Sequence, residues 1–505
     1  MPKYASSLQL TLQQRLPHVT LTRWLYSELR GAILDGRLQA GARLPATRDF
    51  ALQYSVSRGT VVTVFEQLEA EGYLVGRVGA GTWINERLSQ DVLRKRSSRS
   101  QVRKLPAPIL GLPTSQPARP FRAYEPALNE FPSDVWAQVA GRRLRRASPS
   151  LLGGGDPRGY APLREAVAAH LGSSRGAICS ADNVVILSGV QQGLDLLARI
   201  LVKPGEPVGM EDPGYFGAAA AFRNAGARII PIPVDEYGLV VAKCALLNRA
   251  RAVYVTPAHQ FPLGTTLSLE RRLALLAWAR AARAFVIEDD YDSEFRFEGK
   301  PIPALQALDK CGSVILLGSF SKVLFPALRL GYMVVPAELL DRVLSLRIAI
   351  DFFPSNLNQA ILCDFIAEGH FGRHIRRMRE VYATRLAALQ DAARKYLAGL
   401  MEVSPIQAGL STTGFLHNGM SSRRAEKFAL ERGIEVLGLH RFTLGATYDV
   451  EGLLLGFAAF TEGQIRNGVA TLARVLGSRI STDTTSHLGR FESSASGGLS
   501  LRRCS

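Results

Sequence analysis

Apolar residues recur at helical spacing near the start of the chain. Leu21, Leu25, Leu29 and Ile33 follow one another every four residues, and the pattern stops at Gly36. A threonine, which is a favourable N-cap, stands directly before the first of these leucines. The pattern therefore predicts an amphipathic helix that begins behind the threonine and ends at the glycine.

Two shorter helical patterns and a hairpin pattern follow. One helix is predicted from Thr47 and the other from Ser57, with a short turn between them. Further along, the segments 73–75 and 82–84 have the composition of short strands. They flank the glycine-rich stretch 76–81, which is long enough to close a β-hairpin.

Four parts of the chain differ in their pattern. Residues 1–85 have the order helix, helix-turn-helix, hairpin, which is typical of a winged helix-turn-helix unit. Residues 86–120 are predicted to be a linker, because six Lys or Arg fall within eleven residues without an acid and five prolines follow. Residues 121–478 alternate between strand and helix patterns. Residues 479–505, rich in Ser, Thr and Gly, are predicted to be a flexible tail.

The third part has the pattern of an α/β unit with a largely parallel sheet. Short apolar runs alternate with amphipathic stretches, of which the predicted helix 269–283 is an example. The runs predicted as buried strands include 184–187, 252–255, 285–287 and 314–317. The predicted fold class is therefore α/β, preceded by a winged helix-turn-helix.

Composition and charge narrow the classes of function. The chain has 505 residues, too many for one ordinary core, and 47% of them are hydrophobic. It has no apolar run of 18 residues and no basic segment leading into an apolar stretch near its start, so neither a membrane span nor secretion is expected. The five cysteines are scattered, which fits the cytoplasm and offers no close pair for zinc, so no metal is expected. The net charge of +17 favours a polyanionic partner or a phosphorylated ligand.

Basic and hydroxyl side chains stand where a helix-turn-helix meets DNA. Ser57, Arg58 and Thr60 open the second, recognition helix, whose first residues contact base edges. The other candidate DNA contacts are Arg43, Thr47, Arg48, Arg77, Gly79 and Gly81. For any single arginine, a solvated basic face is the competing interpretation.

Three strings in this part carry a family resemblance. They are AGARLPATR at 40–48, VSRGTV at 56–61 and EQLEAEGYL at 66–74. Together they closely resemble the winged helix-turn-helix of GntR-type bacterial transcription regulators. The resemblance covers about residues 20–84 and implies that this part binds double-stranded promoter or operator DNA.

A lysine follows one of the predicted strands of the larger part. Lys322 ends the string GSFSK after the apolar run 314–317, and Arg329 lies seven residues beyond it. An amine beside hydroxyl groups and an arginine suits a Schiff base to a phosphorylated aldehyde cofactor. A surface lysine after a strand is the safer interpretation of this string alone, so the neighbouring motifs decide.

Motifs at three other strand ends fit the same cofactor. Asp289 ends a buried apolar run, where a carboxylate can keep a pyridine nitrogen protonated, and Tyr291 can donate to a ring hydroxyl. Gly189 to Gln191 open a helix, and amides at a helix N-terminus suit a phosphate. Tyr215 follows a third strand and can lay its ring on a planar ligand.

In order and spacing, these motifs resemble fold-type I, pyridoxal-phosphate-dependent aminotransferases over residues 124–460. The resemblance implies that Lys322 is the aldimine lysine, that Asp289 partners the pyridinium nitrogen and that Tyr291 contacts the phenolic oxygen. It also implies that Tyr215 stacks on the ring of pyridoxal 5'-phosphate (PLP). The residues that it implies around the phosphate are Gly189, Val190, Gln191, Ser319, Ser321 and Arg329.

Two further positions follow from this resemblance. His259 stands in TPAHQFP, where aminotransferases usually carry an Asn-Pro pair near the ring oxygen. It contacts the cofactor, or else it is a packed or solvated histidine. Arg441 lies near the place where the family binds the α-carboxylate of its substrate, and a surface arginine is its alternative interpretation.

A chain in which a long linker joins a GntR-like DNA-binding unit to an aminotransferase-like domain resembles the MocR subfamily of GntR regulators. This resemblance implies a homodimer whose DNA binding responds to PLP itself or to an amine or amino acid. Gly154 stands where aminotransferases place a phosphate-binding tyrosine, and Tyr124 where they have a small residue. Gly217 stands where a MocR relative that senses an amino acid has arginine. These departures leave open whether transamination is retained.

Three functions compete at this point. The first is a PLP-dependent transcription regulator. The second is a working aminotransferase with an accessory DNA-binding module, which sustained turnover would reveal. The third is a regulator whose larger domain only dimerises it, which the absence of a cofactor absorbance band would reveal.

Overall fold

The structure is a computed structural model, and it describes residues 10–13, 15–17, 19–77, 81–86, 117–246, 249–417, 419–445 and 450–477. The chain folds as two compact units, an N-terminal one and a larger one. The whole predicted tail and Gly79 of the predicted hairpin lie outside the described residues. So does the predicted linker, except for residues 86 and 117–120.

The N-terminal unit has three helices and a hairpin, as the hydrophobic pattern predicts. Thr20 and Ser57 cap the first and third helices, because their hydroxyl oxygens accept from the backbone N–H of Arg23 and Thr60. The elements are α1 (Leu21–Leu34), α2 (Thr47–Gln53), α3 (Arg58–Ala70), β1 (Leu74–Arg77) and β2 (Gly81–Ile84). The predicted helix starts are therefore confirmed.

The hairpin of β1 and β2 forms the wing of this unit. Its strands are longer than predicted, and the turn between them is shorter. β1 continues through Gly76 to Arg77, which pairs with Gly81, so the predicted tip 76–81 is wrong. Gly76 stays in the strand because its backbone N–H donates to Glu69 Oε1 at 2.8 Å. A side chain at this position would meet the same carboxylate at 2.7 Å, so the glutamate would have to move to admit it.

The core of the N-terminal unit is aromatic and aliphatic. Phe50 of α2 is fully buried, and its ring lies edge-on to Phe65 of α3 with 5.5 Å between centroids. Leu25 and Leu29 of α1 are buried beside them, at the spacing that the sequence shows. This packing fixes α3 against the other two helices.

The larger unit is built on an eight-stranded sheet. Its strand order is β3-β10-β9-β8-β7-β4-β5-β6, and the neighbours from β9 to β5 are parallel. Strand β10 is antiparallel to both of its neighbours, as is β6 to β5. The strands are β3 (Val184–Leu187), β4 (Pro207–Asp212), β5 (Arg228–Asp235), β6 (Gly238–Leu239), β7 (Ala252–Val255), β8 (Phe285–Asp290), β9 (Val314–Ser319) and β10 (Gly331–Val334).

Helices cover this sheet, and apolar clusters lie against its strands. Gly193 of the helix after β3 allows close packing, because a side chain there would meet Leu187 and Leu317 at 2.8 Å. The helices of this part are α4 (Ser133–Arg145), α5 (Pro149–Leu152), α6 (Ala161–Arg175), α7 (Val190–Leu201), α8 (Phe216–Asn224), α9 (Leu269–Ala282), α10 (Phe320–Val323), α11 (Ala337–Asp351), α12 (Asn356–Ala367) and α13 (His370–Tyr396).

A second, antiparallel sheet follows along the chain, in the order β11-β12-β14-β13. Its elements are β11 (Met401–Val403), β12 (Ser411–Leu416), α14 (Ser422–Glu431), β13 (Leu437–Gly438), β14 (Gly452–Gly456) and α15 (Glu462–Gly477). Helix α15 packs on the long α13. Among the described residues, no helix combines the length and the apolar character needed to span a bilayer.

The predicted buried strands are confirmed, and two of them extend further than the apolar runs. β8 continues to Asp290 and β9 to Ser319, so polar residues occupy their last positions. β4, β7, β8 and β9 run in the same direction. Their carboxyl ends therefore meet at one edge of the sheet, where open α/β sheets bind ligands.

We predict that Phe50→Ala destabilises the N-terminal unit by about 3–5 kcal/mol, because it leaves a cavity in a close-packed core. Leu52→Ala on the same helix is the matched control, since Leu52 is 75% exposed, and it should change stability by less than about 0.5 kcal/mol. Native-state hydrogen exchange of the α3 amides measures the free energy of opening in the full chain. Equal effects of the two substitutions would contradict this core.

Candidate functional site

Lys322 lies in the single-turn helix α10, directly after β9. Its Nζ donates to the main-chain oxygen of Tyr124 at 2.7 Å and lies 5.1 Å from the centre of that tyrosine's ring. Burial lowers the pKa of Lys322 to about 8, and the Arg329 guanidinium adds to this, while Glu125 and Asp292 oppose it. The amine therefore loses its proton more readily than an ordinary lysine, which favours condensation with an aldehyde.

Asp289 is a buried carboxylate, and among the described residues only one of its two oxygens accepts a hydrogen bond. Its Oδ2 accepts from Tyr254 OH at 2.7 Å, and its side chain lies at the ligand edge of β8 with 5% exposure. Its Oδ1 is buried and has no hydrogen-bond partner in the part of the chain that the structure describes. Burial raises the pKa of Asp289 to about 7, partly offset by the bond from Tyr254. A protonated ring nitrogen would supply both the missing donor and a compensating charge.

Tyr291, His259 and Asp292 form one cluster next to Asp289. The Nδ1 atom of His259 lies 3.0 Å from Asp292 Oδ2 and 3.1 Å from Tyr291 OH. The rings of His259 and Tyr291 stack with 5.9 Å between centroids. His259 is thus packed in the core beside a predicted cofactor residue, and its buried Nε2 has no hydrogen-bond partner among the described residues.

The predicted phosphate residues come from three segments. Gly189 has φ 121° and caps α7, whose first N–H groups, on Val190 and Gln191, have no partner within the helix. A side chain at Gly189 would lie 3.3 Å from Arg329 Nη2, so the arginine sits directly over this turn. The close approach and the positive φ both require glycine.

Ser319 and Ser321 flank the start of α10. The hydroxyl oxygen of Ser319 accepts from the backbone N–H of Ser321 at 3.1 Å and so caps the helix. The Ser321 hydroxyl is buried and has no hydrogen-bond partner in the described part of the chain. It is free to donate to an anion at this position.

Tyr215 stands at the N-cap of α8. Its ring lies 5.9 Å from that of Phe261, and its hydroxyl lies 3.4 Å from Gln191 Oε1. Burial raises the pKa of Tyr215 to about 12, and the nearby charge of Asp289 adds to the shift. A side chain at position 217 would meet the Tyr215 ring at 2.4 Å. The ring therefore occupies the space into which such a side chain would extend.

Arg441 is already paired, which the sequence does not reveal. Its Nε donates to Glu426 Oε1 at 2.7 Å, and its Nη2 lies 2.5 Å from the same oxygen. The side chain is half exposed, and its charge lies close enough to Tyr124 to lower that tyrosine's pKa, against the larger effect of burial. The hydroxyl of Tyr124 is buried without a hydrogen-bond partner among the described residues. A side chain at Gly154 would meet nothing within 4 Å.

The predicted DNA contacts lie around the start of α3 and on the wing. Arg58 is exposed at the first position of α3, whereas the hydroxyls of Ser57 and Thr60 bond to each other at 2.8 Å. Thr47 and Arg48 open α2, and the Arg48 side chain is exposed.

On the wing, Trp83 lies between two arginines. Its ring is 5.3 Å from the guanidinium of Arg43 and 5.2 Å from that of Arg77. Glycine at position 81 gives Arg43 its room, since a side chain there would meet Arg43 Nε at 3.1 Å. Trp83 is not among the predicted DNA contacts, and the sequence does not reveal that its ring lies beside both arginines.

Comparison with known proteins assigns both units. Residues 21–84 match the bacterial regulatory proteins of the gntR family, and residues 123–471 match aminotransferase class I and II. The probable rhizopine catabolism regulatory protein MocR of Rhizobium meliloti is 37% identical over 465 residues, covering 90% of this chain and 93% of that protein. The chain belongs to the MocR-type regulators of the gntR family. It is a transcriptional regulator with a DNA-binding helix-turn-helix and an aminotransferase-like domain.

Other relatives agree with this MocR-type organisation. The transcriptional regulator TauR of Rhodobacter capsulatus is 35% identical over 466 residues, covering 88% of this chain and 94% of that protein. The structure of the α-aminoadipate aminotransferase LysN of Thermus thermophilus aligns with a TM-score of 0.67 and 30% identity, over 72% of this chain and 92% of that one. That enzyme is complexed with N-(5'-phosphopyridoxyl)-L-leucine.

We predict that Asp289→Asn changes how the stability of this cofactor-free MocR-type regulator depends on pH. Between its ordinary pKa of 3.8 and its folded pKa of about 7, the folded parent keeps a proton on Asp289 that the unfolded chain has released. Each rise of one pH unit in this window therefore lowers the parent's free energy of unfolding by about 1.4 kcal/mol. The variant does not have this loss.

The measurement is the free energy of unfolding in urea from pH 4.5 to 7. The variant should gain stability relative to the parent as pH rises. Asp341→Asn, which removes an exposed carboxylate on α11, is the control and should run parallel to the parent. A parallel profile for Asp289→Asn as well would show that Asp289 is already ionised in the folded protein.

Proposed function

We propose that this MocR-type regulator reads promoter DNA with residues 1–85 and binds PLP in residues 121–478, with Lys322 as the covalent attachment point. The observation that carries the proposal is the buried, unpartnered Oδ1 of Asp289 at the same sheet edge as the partly unprotonated Lys322. A buried carboxylate oxygen without a donor costs free energy. A cationic ring nitrogen at this place offsets that cost.

PLP, when bound, supplies an aldehyde that condenses with primary amines and a protonated ring that withdraws electrons. Asp289 would hold the proton on the ring nitrogen. Tyr291, oriented by His259, would donate to the ring oxygen, and Tyr215 would cover one ring face. The phosphate would be held by Gly189, Val190, Gln191, Ser319, Ser321 and Arg329, of which the free Ser321 hydroxyl and the Arg329 guanidinium over Gly189 are the best supported.

We infer that the effector is PLP itself or a small amine or amino acid. Arg441 can take a carboxylate only if it gives up Glu426, so an acidic effector competes with an internal carboxylate. Tyr124, whose ring and main-chain oxygen both lie at Lys322 Nζ, narrows the space for a substrate side chain. Tyr215 fills the space beside Gly217, where an amino-acid-sensing relative has arginine.

We infer a homodimer in the cytoplasm, where a bacterial regulator meets its DNA. Apolar side chains are exposed along the end of α11, and Phe352, just after that helix, is 67% exposed. Ile348 and Ile350 are exposed beside it. Such clustered apolar exposure is typical of a surface that another chain covers.

An active aminotransferase with an accessory DNA-binding module is the alternative. The lysine, aspartate and tyrosine needed for its chemistry are all present and close together. Against it stand the Arg441–Glu426 pair and the crowding by Tyr124, which both hinder substrate binding. Sustained conversion of an amino acid and a keto acid by the purified protein would establish the alternative.

We predict that Arg58→Ala weakens binding to promoter DNA by about 1–3 kcal/mol, because the exposed guanidinium at the start of α3 contacts a base. Arg23→Ala removes an equal charge from the exposed face of α1 and serves as the control. A gel-shift titration at several salt concentrations measures both. The parent should show a log–log slope of about −0.9 per phosphate contacted. Unchanged affinity for Arg58→Ala would remove this residue from the interface.

We predict that Lys322→Ala keeps DNA binding at low salt but loses its response to PLP. Ligand binding shifts DNA affinity only through a difference in affinity for two states of the protein, and Lys322 is the predicted site residue that can bond covalently to PLP. Parent and variant are titrated with DNA in the presence and absence of PLP, and the visible absorbance of bound cofactor is recorded. An equal response of the variant would point to noncovalent occupancy of the Gly189 to Gln191 turn.

A further inference from the structure

A cavity of about 280 Å³ lies in the larger unit and is lined by residues outside the proposed PLP site. Its walls come from α6, from the segment that follows β8 and from α13. The lining residues that matter here are His170, Arg175, Ser293, Glu294, Arg296 and Arg379.

Arg175, at the end of α6, is the most buried of the basic residues in the cavity. It is 6% exposed, its Nε faces Asp290 Oδ2 at 2.8 Å, and its Nη1 donates to the main-chain oxygen of Ile302. Its Nη2 has no hydrogen-bond partner in the part of the chain that the structure describes. The Ser293 hydroxyl lies beside the Asp290 carboxylate, which can accept from it. A buried guanidinium N–H without an acceptor is costly, so Arg175 Nη2 remains available to a ligand.

Two further arginines line the cavity. Arg296 donates to the side-chain oxygen of Gln407, and Arg379 donates to the main-chain oxygen of Glu294. Both of these acceptors are neutral, so neither bond compensates the charge of the arginine. The buried Nε of Arg296 has no hydrogen-bond partner among the described residues. Carboxylates lie close to these basic groups: Glu294 is 3.8 Å from His170, and Asp290 pairs with Arg175. Glu298 is close enough to Arg296 to raise its pKa, against the larger effect of burial. The cavity therefore offers an anion unpartnered guanidinium N–H groups rather than a net positive charge.

The position of the cavity separates it from the proposed cofactor contacts. Asp289 and Asp290 are consecutive in β8, and consecutive residues of a strand point to opposite faces of the sheet. Asp289 bonds Tyr254, whereas Asp290 pairs with Arg175 at the cavity. A ligand in the cavity would therefore contact groups other than those that hold the ring of PLP.

We propose that this cavity is a second binding site, for a small anion with a carboxylate or phosphate group. Arg175 Nη2 and Arg296 Nε would donate to the anion, and Arg379 would supply charge. Arginine donors suit both kinds of oxyanion. The volume lies near the lower end of small-molecule pockets, about 300–1,000 Å³, so the ligand has few heavy atoms.

The test uses the full-length protein, with and without PLP, and inorganic phosphate or acetate as the probe. Isothermal titration calorimetry is run against sodium chloride of equal ionic strength. The parent should bind at least one of the probes saturably, with one site per chain in the presence of excess PLP. Binding of phosphate alone or of acetate alone identifies which oxyanion the site takes.

Arg296→Gln and Arg379→Gln should each weaken this binding about tenfold or more, since each removes a charged donor. Arg376→Gln is the matched control, because it removes an exposed charge from the same helix, three residues before Arg379. Circular dichroism checks that each variant is folded. If Arg296→Gln does not fold, the result for Arg379→Gln decides the test. No saturable binding of either probe beyond chloride, or an equal loss in Arg376→Gln, would overturn the site. The outcome is independent of whether PLP binds at Lys322.

Discussion

Three consecutive carboxylates are buried at the end of β8, and the larger unit is arranged around them. Burying a carboxylate costs several kcal/mol unless donors or a cation compensate it. Glu288 accepts from the backbone N–H groups of Leu305 and Gln306 at 2.7 and 2.9 Å. Asp290 on the same face pairs with Arg175, and Asp289 on the other face receives one bond, from Tyr254. The strand can end inside the protein only because segments distant in sequence converge on it.

The buried carboxylates Glu211 and Asp289 differ in how fully hydrogen bonds compensate them. Glu211 and Asp289 are both buried, and burial raises the pKa of each to about 7. The Oε2 atom of Glu211 accepts from the backbone and hydroxyl of Thr256, whereas one oxygen of Asp289 remains without a donor in the described part of the chain. Glu211 therefore ties two strands together. Asp289 is the group that a cationic ligand would complete.

Sequence patterns predicted local features well. The caps at Thr20 and Ser57 and the four buried strands follow from periodicity and capping chemistry, which depend on neighbouring residues. The strand ends at Asp290 and Ser319 were missed, because polar residues at a ligand edge do not look like strand. The small antiparallel sheet was not predicted as a separate layer, since its strands alternate with helices as the parallel ones do.

Long-range partners could not be predicted in the same way. The pairing of Arg441 with Glu426 depends on how α14 lies beside the 3₁₀ turn that ends at Arg441. A short segment of sequence does not reveal this arrangement. Tyr254 lies inside an apolar run and was assigned to the core, and only the structure shows its hydroxyl at Asp289. These residues lie beside the predicted site residues, and motif spacing does not reveal them.

The main-chain oxygen of Tyr124 gives the proposed coupling a physical basis. Tyr124 has φ 72°, a conformation that costs free energy for a non-glycine residue, and Lys322 Nζ donates to its carbonyl. Tyr124 belongs to the segment by which the chain enters the larger unit from the linker. The same segment is held by Arg122, which pairs with Glu435 at 2.8 Å, and by the bridge from Phe121 to Gly456. A lysine that forms a covalent bond loses two of its three protons and with them part of its capacity to hold Tyr124 in place. In the proposed function, chemistry at Nζ would therefore act on the segment by which the chain enters the larger unit.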